Sequence, residues 1–168
     1  MANFNHLEPA VRQHRTAQIT LTLSHNGIPL ANQEVTVEQT RHKFLFGSNW
    51  GESIAVANGE LSGAALEQAE TRNEHFLALF NQVTMPFYWG NFERERGKPQ
   101  TQRILTAARW HQERGCLVKG HPLCWHTVTA DWLLTMSNEE ILQTQIARIQ
   151  REVTDFAGVI DMWDVVNE

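Results

Sequence analysis

The last ten residues constrain this chain more than any other stretch. Val159-Ile160-Asp161-Met162-Trp163-Asp164-Val165-Val166-Asn167-Glu168 is a short run rich in Val and Ile that opens after Gly158. Such a run predicts a strand buried on both faces, as in a parallel sheet, because it reserves no alternate positions for water. It ends on two polar residues, Asn167 and Glu168. In α/β barrels the carboxyl ends of the strands carry the catalytic groups. The stretch therefore predicts a catalytic strand with Glu168 as its reactive group and the partner carboxylate missing from the chain.

The rest of the chain sets that strand in a repeating pattern. Residues 1 to about 16 are polar and aperiodic and predict an extended lead-in. Apolar residues alternate at Ile19, Leu21 and Leu23, Asn26-Gly27 signals a tight turn, and alternation resumes at Val35 and Val37, which predicts an antiparallel hairpin with a structural role. Phe44-Leu45-Phe46-Gly47 predicts a first strand, followed by a loop over 48–63. Helical spacing follows over 61–80, a strand over 82–89, a helix over 102–112 stopped by Gly115, and a strand over 116–125. Ser137-Asn138-Glu139-Glu140 is a capping box. The helix behind it carries an apolar stripe of Ile141, Leu142, Ile146, Ile149, Val153 and Phe156, with Gln145 among them, expected to face a core.

Strand and helix in alternation imply parallel strands joined by right-handed crossovers. The expected fold is α/β: about the first half of a (β/α)8 TIM barrel over 42–168, preceded by a small hairpin extension over 1–41. An open half-barrel would leave an edge strand unpaired and prone to self-association.

Composition narrows the function. The chain has 168 residues, 14 Lys and Arg against 19 Asp and Glu, and a net charge of −5, which argues against nucleic acid as a partner. No apolar run approaches the length of a membrane span, and Met1-Ala2-Asn3-Phe4-Asn5-His6 lacks the basic start and apolar core of a leader peptide. Six Trp offer flat apolar faces that suit either sugar binding or a core. Cys116 and Cys124 on one extended strand would stand roughly 26 Å apart. That exceeds disulfide reach, so two reduced, buried thiols are expected.

Two segments end strands with unusual side chains: Lys119-Gly120-His121-Pro122-Leu123-Cys124-Trp125-His126, followed by Asp131-Trp132, and Trp163-Asp164-Val165-Val166-Asn167-Glu168. Together they resemble glycoside hydrolase family 10, the retaining endo-β-1,4-xylanases. The third strand of that family reads Gly-His-Thr-Leu-Val-Trp-His, with Pro-x-Trp after it, and the fourth ends Trp-Asp-Val-Val-Asn-Glu. The second motif is complete here, and the first is kept at Gly120, His121, Leu123, Trp125, His126 and Trp132. The likeness covers about residues 42–168 and implies a glycosidase acting on xylan or a related β-glycan.

The resemblance assigns roles. Glu168 would be the general acid/base, Asn167 would hold a sugar hydroxyl, and His121 and Trp125 would line the subsite around the scissile bond. A retaining glycosidase needs a second carboxylate about 5–5.5 Å from the first. In the family it lies on a later strand, so this chain alone is expected to be inactive. The resemblance implies no cofactor, no metal, a polysaccharide or oligosaccharide as partner, and an extracellular or periplasmic setting.

One departure bears on specificity. The second strand of the family offers Glu-Asn-x-x-Lys-Trp, where this chain has Thr84-Met85-Pro86-Phe87-Tyr88-Trp89-Gly90-Asn91-Phe92-Glu93, without the lysine or the Glu-Asn pair. Val128 replaces a family glutamine. Among the aromatic residues of this segment, Phe87 and Phe92 are expected in the core, while Tyr88 and Trp89 are candidates for a sugar platform. Two other readings stay open. One is a carbohydrate-binding or vestigial module without turnover. The other is a metal-dependent hydrolase using His121 and His126 with Asp131 or Glu168, which strand geometry disfavours because residues five apart point to opposite faces.

Overall fold

In the computed structural model, residues 8–167 are described, and they divide into two compact units, 8–41 and 42–167. In the first unit, Pro9–Arg15 forms helix α1, with Pro in its first turn and Arg12, His14 and Arg15 towards its carboxyl end. This replaces the extended lead-in expected there. Proline pre-sets the first helical φ, and cations at the last turn complement the helix dipole, so seven residues suffice without an apolar stripe. Strands β1 (Ser24–His25) and β2 (Ile28–Pro29) pair antiparallel around Asn26-Gly27, whose φ angles of 51° and 80° are those of a tight hairpin turn. The hairpin stops there. Ile19, Leu21, Val35 and Val37 are exposed, because no described residue of this unit is buried and nothing within it covers a strand face.

The second unit begins with β3 (Gly47–Asn49), α2 (Glu52–Ala57), α3 (Gly63–Leu79) and β4 (Gln82–Pro86). It continues with α4 (Trp89–Phe92), α5 (Thr101–Glu113), β5 (Leu117–His121), a 3-10 turn (Asp131–Thr135), α6 (Asn138–Asp155) and β6 (Met162–Trp163). The four strands make one parallel sheet in the order β3-β4-β5-β6. Strands that neighbour one another in chain order, with helices between, are the arrangement of a barrel rather than of a doubly wound sheet, whose order reverses. Among the described residues, no helix is long and apolar enough to cross a membrane.

Two segments differ from expectation for local reasons. Phe44, Leu45 and Phe46 are exposed and precede β3 instead of forming it. The Asn81 side chain serves their backbone: its Oδ1 accepts from Phe46 N–H at 2.8 Å and its Nδ2 donates to Phe44 O at 2.8 Å. The expected loop over 48–63 contains α2, which buries Ser53 and Ile54 against the core.

The helices cover one face of the sheet. Val83, Met85 and Phe87 are buried, as is Val118 on β5, and they meet Phe76 of α3, Ile104, Ala107 and Ala108 of α5, and Phe156 and Ile160 around the last strand. The alternate residues Gln82, Thr84 and Pro86 are only half-buried. The expectation of a last strand buried on both faces is therefore corrected. Ile160 is buried, but Met162, Val165 and Val166 are exposed, because β6 is an edge strand and nothing among the described residues lies on its other side.

Helix α6 carries the capping box: Ser137 Oγ accepts from Glu140 N–H, and Glu140 Oε2 accepts from Ser137 N–H. Its apolar stripe turns out otherwise. Leu142, Ile146 and Val153 are exposed, and beside Phe156 at its end the helix buries Arg148 and Glu152. Cys116 and Cys124 form no disulfide. Cys116 is buried, while Cys124 lies past the end of β5 and is half-buried rather than in the core.

Two consequences are testable. A Cβ on Gly120 would stand 2.2 Å from Trp163 Cζ3 and 2.3 Å from Cε3, a rigid ring with core on its far side. Gly120→Ala is expected to destabilise the chain by about 2 kcal/mol or more in urea unfolding. The second concerns His111, which is fully buried with Nε2 2.7 Å from Ser53 Oγ, joining α5 to α2. Ser53 Oγ donates to Trp50 O, so Nε2 carries the ring proton. Burial, and secondarily the Arg114 charge, pushes the imidazole pKa down to about 4 from 6.5. The folded state thus resists protonation that the unfolded chain accepts. Stability is expected to be complete above pH 6.5 and to fall as pH drops towards 4, by about 3 kcal/mol for this group. His111→Gln should flatten that slope.

Candidate active site

Alternation along β5 sends Val118 and Gly120 to the helix-covered face and Lys119 and His121 to the open one. The register sets Lys119 opposite Met162 and Gly120 opposite Trp163. Asp164 N–H then donates to Gly120 O at 3.0 Å, which brings the Asp164 carboxylate beside both β5 side chains. Its Oδ2 lies 2.7 Å from Lys119 Nζ and 2.8 Å from His121 Nδ1. Burial pushes this carboxyl pKa up, but the hydrogen bonds and charges of Lys119 and His121 outweigh it and hold it below the usual aspartate value. An ionised carboxylate only accepts, so His121 Nδ1 carries the proton and Nε2 is the ring's other polar atom.

Past the strand ends, the backbone stays tied together. Phe87 N–H donates to His121 O at 2.7 Å, Leu123 N–H to Asp164 O at 3.0 Å, Cys124 N–H to Val165 O at 2.8 Å, and Asn167 N–H to Cys124 O at 2.9 Å. The Tyr88 ring stands edge-on to His121 at 5.7 Å between centroids and tilted against Trp125 at 5.6 Å. Trp125 Nε1 is buried without a hydrogen-bond partner among the described residues. The result is an aromatic hollow bordered by the half-buried Tyr88, His121 and Trp125 at the carboxyl ends of β4 and β5, with the Asp164 carboxylate bonded to its imidazole.

Of the candidates read from sequence, His121 and Trp125 share this hollow. Asn167 is half-buried, its backbone held beside Cys124, and Glu168 lies outside the described residues. His126 is exposed, with its ring edge-on to Trp125 at 6.0 Å. Trp132 packs edge-on against Trp89 at 5.5 Å and donates from Nε1 to Glu93 O at 3.0 Å. Trp89 is a core residue, packed with Ala130 and Leu133 rather than with the hollow's rings. Glu93 is also buried: burial pushes its pKa up, but Arg151, Gly97 N–H and Trp89 Nε1 more than offset that. Among the described residues, no group of three His, Cys, Asp or Glu side chains is placed to hold a metal.

Lys119 and Asp164 stand inside the two motifs, but the motifs assign them no role. The available signal was two charges at inward positions of otherwise apolar strands. Tyr88 was singled out without its neighbours, because its contacts join segments 33 and 37 residues apart.

The family profile described as Glycosyl hydrolase family 10 matches residues 49–168. An endo-1,4-beta-xylanase/feruloyl esterase of Xylanibacter ruminicola is 32% identical over 97 residues, covering 53% of this chain and 13% of that protein. Endo-1,4-beta-xylanase 5 of Arabidopsis thaliana is 25% identical over 139 residues, covering 80% of this chain and 22% of that protein. Among solved structures, native xylanase 10B of Thermotoga maritima superposes with a TM-score of 0.58 at 26% identity, over 73% of this chain and 36% of that one. Xylanase 10B of Thermotoga petrophila in complex with xylobiose gives a TM-score of 0.58 at 25% identity, over 73% of this chain and 36% of that one. This chain thus spans well under half the length of these relatives. With a matching profile over most of its length and the same partial barrel, it belongs to glycosyl hydrolase family 10.

Proposed function

We propose that residues 42–168 form the front part of a retaining endo-β-1,4-xylanase-type barrel, with residues 1–41 as an appendage. In this reading the hollow of Tyr88, His121 and Trp125 receives a sugar ring next to the bond being cleaved. The observation that carries it is that hollow's place at the carboxyl ends of parallel strands in a family 10 chain. The rings supply apolar faces, and Asp164 fixes the imidazole so that Nε2 meets the substrate. Asn167 would bond a ring hydroxyl. Glu168 would protonate the leaving oxygen and later activate water.

The double displacement also needs a carboxylate nucleophile. Asp164 does not suit that task, because Lys119 and His121 occupy the oxygen they share. Glu93 is buried in an ion pair with Arg151. The 168-residue chain alone is therefore proposed to bind substrate without completing turnover. The absence of the family's second-strand lysine and Glu-Asn pair favours a β-glycan other than plain xylan, or a binding module, as the second reading. The exposed edge at Met162, Val165 and Val166 would support self-association.

The experiment is titration of the chain with xylotetraose and with mixed-linkage glucan oligosaccharides, alongside assay on an aryl β-xyloside. Binding without turnover is expected. Trp125→Ala should weaken it roughly tenfold, by about 1–2 kcal/mol. Turnover abolished by Glu168→Gln would overturn the claim of inactivity, and no binding of any glycan would overturn the site reading. Asp164 gives a pH signature. Its folded pKa is lowered, so its contribution is present above the ordinary aspartate pKa of 3.8 and lost as pH falls through the lower folded value. Binding should hold at pH 5 and decline only below the ordinary aspartate value of 3.8, while Asp164→Asn weakens it roughly fivefold at pH 5 and above and removes that acid decline.

A further inference from the structure

Arg148 is 3% exposed, and among the described residues it is the only Lys or Arg so deeply buried. Its head group is aimed at backbone rather than at a carboxylate. Nη1 donates to Leu123 O at 2.6 Å, and Nη2 donates to Phe87 O. The nearest acid, Glu152, is 4.0 Å from Nε and is itself bonded to Arg151 at 2.7 Å. The guanidinium carbon lies over the Trp89 ring, 4.8 Å from its centroid. Desolvating a guanidinium is costly, so two carbonyls and a ring face are a specific use of it.

Those two carbonyls are not arbitrary. Phe87 and Leu123 are fully buried and lie just past the ends of β4 and β5, where the sheet no longer supplies donors to their C=O groups. Phe87 precedes Tyr88 and gives its own N–H to His121 O. Leu123 lies two residues before Trp125 and gives its N–H to Asp164 O. One planar fork on α6 thus spans the two segments that carry the hollow's rings, and through Leu123 it reaches the third segment, which carries Asp164.

We infer that Arg148 is the positioning residue of the aromatic hollow, setting the distance between the Tyr88 and Trp125 segments from behind by holding the Phe87 and Leu123 carbonyls together. Its effect on sugar binding rests on the carbohydrate reading above, whereas its effect on ring geometry does not. A general structural role predicts something different. Loss of Arg148 would then act like loss of Arg151, which belongs to the same ionic cluster through Glu93 and Glu152 but contacts no backbone of the hollow.

The test compares Arg148→Met, Arg148→Lys and Arg151→Met in the whole chain. The first readout is ligand-free: NMR shifts of the His121 and Trp125 ring protons, which the nearby Tyr88 ring displaces by its ring current. In Arg148→Met these shifts should collapse towards unstructured values, and in Arg151→Met they should persist despite lost stability. Arg148→Lys keeps the charge but cannot serve both carbonyls as a fork, and should fall between; it decides the question if the methionine variant does not fold. Unchanged shifts in the Arg148 variants, or equal changes in Arg151→Met, would overturn the inference. The second readout is xylotetraose titration, where Arg148→Met should bind about tenfold more weakly, equivalent to about 1.4 kcal/mol, and Arg151→Met within about twofold of the parent. Failure of the parent chain to bind overturns the carbohydrate reading alone, since the NMR arms still decide the role of Arg148.

Discussion

Everything at the carboxyl end of the sheet depends on β6 lying close against β5, and that approach requires glycine at position 120. Trp163 occupies the space a Cβ would need and stacks its edge against Phe87 at 4.7 Å and Phe156 at 6.1 Å on the helix-covered side. With the tryptophan seated there, the next residue must point to the open side. That residue is Asp164, and the same register delivers it to Lys119 and His121. One close packing contact thus places a carboxylate on a face that the hydrophobic effect leaves open.

The two faces of the sheet follow different rules. On the covered face, burial of Val83, Met85, Phe87 and Val118 against α3 and α5 supplies the stabilisation, each large side chain contributing roughly 1.5–3 kcal/mol. On the open face, Gln82 Nε2 donates to Thr84 Oγ1 at 3.1 Å, and Asp164 holds Lys119 and His121. Polar groups there are kept in place by pairing rather than by exclusion of water.

Between sheet and α6 lies a buried ionic cluster of Arg148, Arg151, Glu152 and Glu93. Burial raises the Glu152 pKa, while the neighbouring arginines act in the opposite direction. Burial also drives Arg148 down to about 10, which still leaves it charged at neutral pH. A helix reading of 138–155 finds an apolar stripe and assigns it to the core. The structure instead turns Arg148 and Glu152 inward, because buried carbonyls past the strand ends need donors and no neighbour among the described residues covers Leu142, Ile146 and Val153.

Local chemistry was legible in the residues themselves. The capping box at Ser137 and Glu140, the turn at Asn26-Gly27, the strand-helix alternation and the paired motifs around His121 and Asn167 each rest on neighbours within a few positions, where short-range sterics and hydrogen bonding decide. Helix α1 lacks the apolar stripe that marks a helix and rests on its proline start and basic end alone. Helix α2, the shift of β3 past Phe46 and the exposure of β6 were not legible, because each depends on what lies opposite in space. The same holds for the site. Sequence alone determined that imidazole, indole and amide side chains stand at strand ends in a family 10 pattern. Only tertiary structure decided that Asp164 is held by Lys119 and His121, that Tyr88 joins the hollow while Trp89 joins the core, and that Arg148 serves the Phe87 and Leu123 carbonyls. Those pairings span from 25 to 61 residues of chain in the case of Arg148, and they exist only once parallel register and one-sided burial have fixed which side chains face each other.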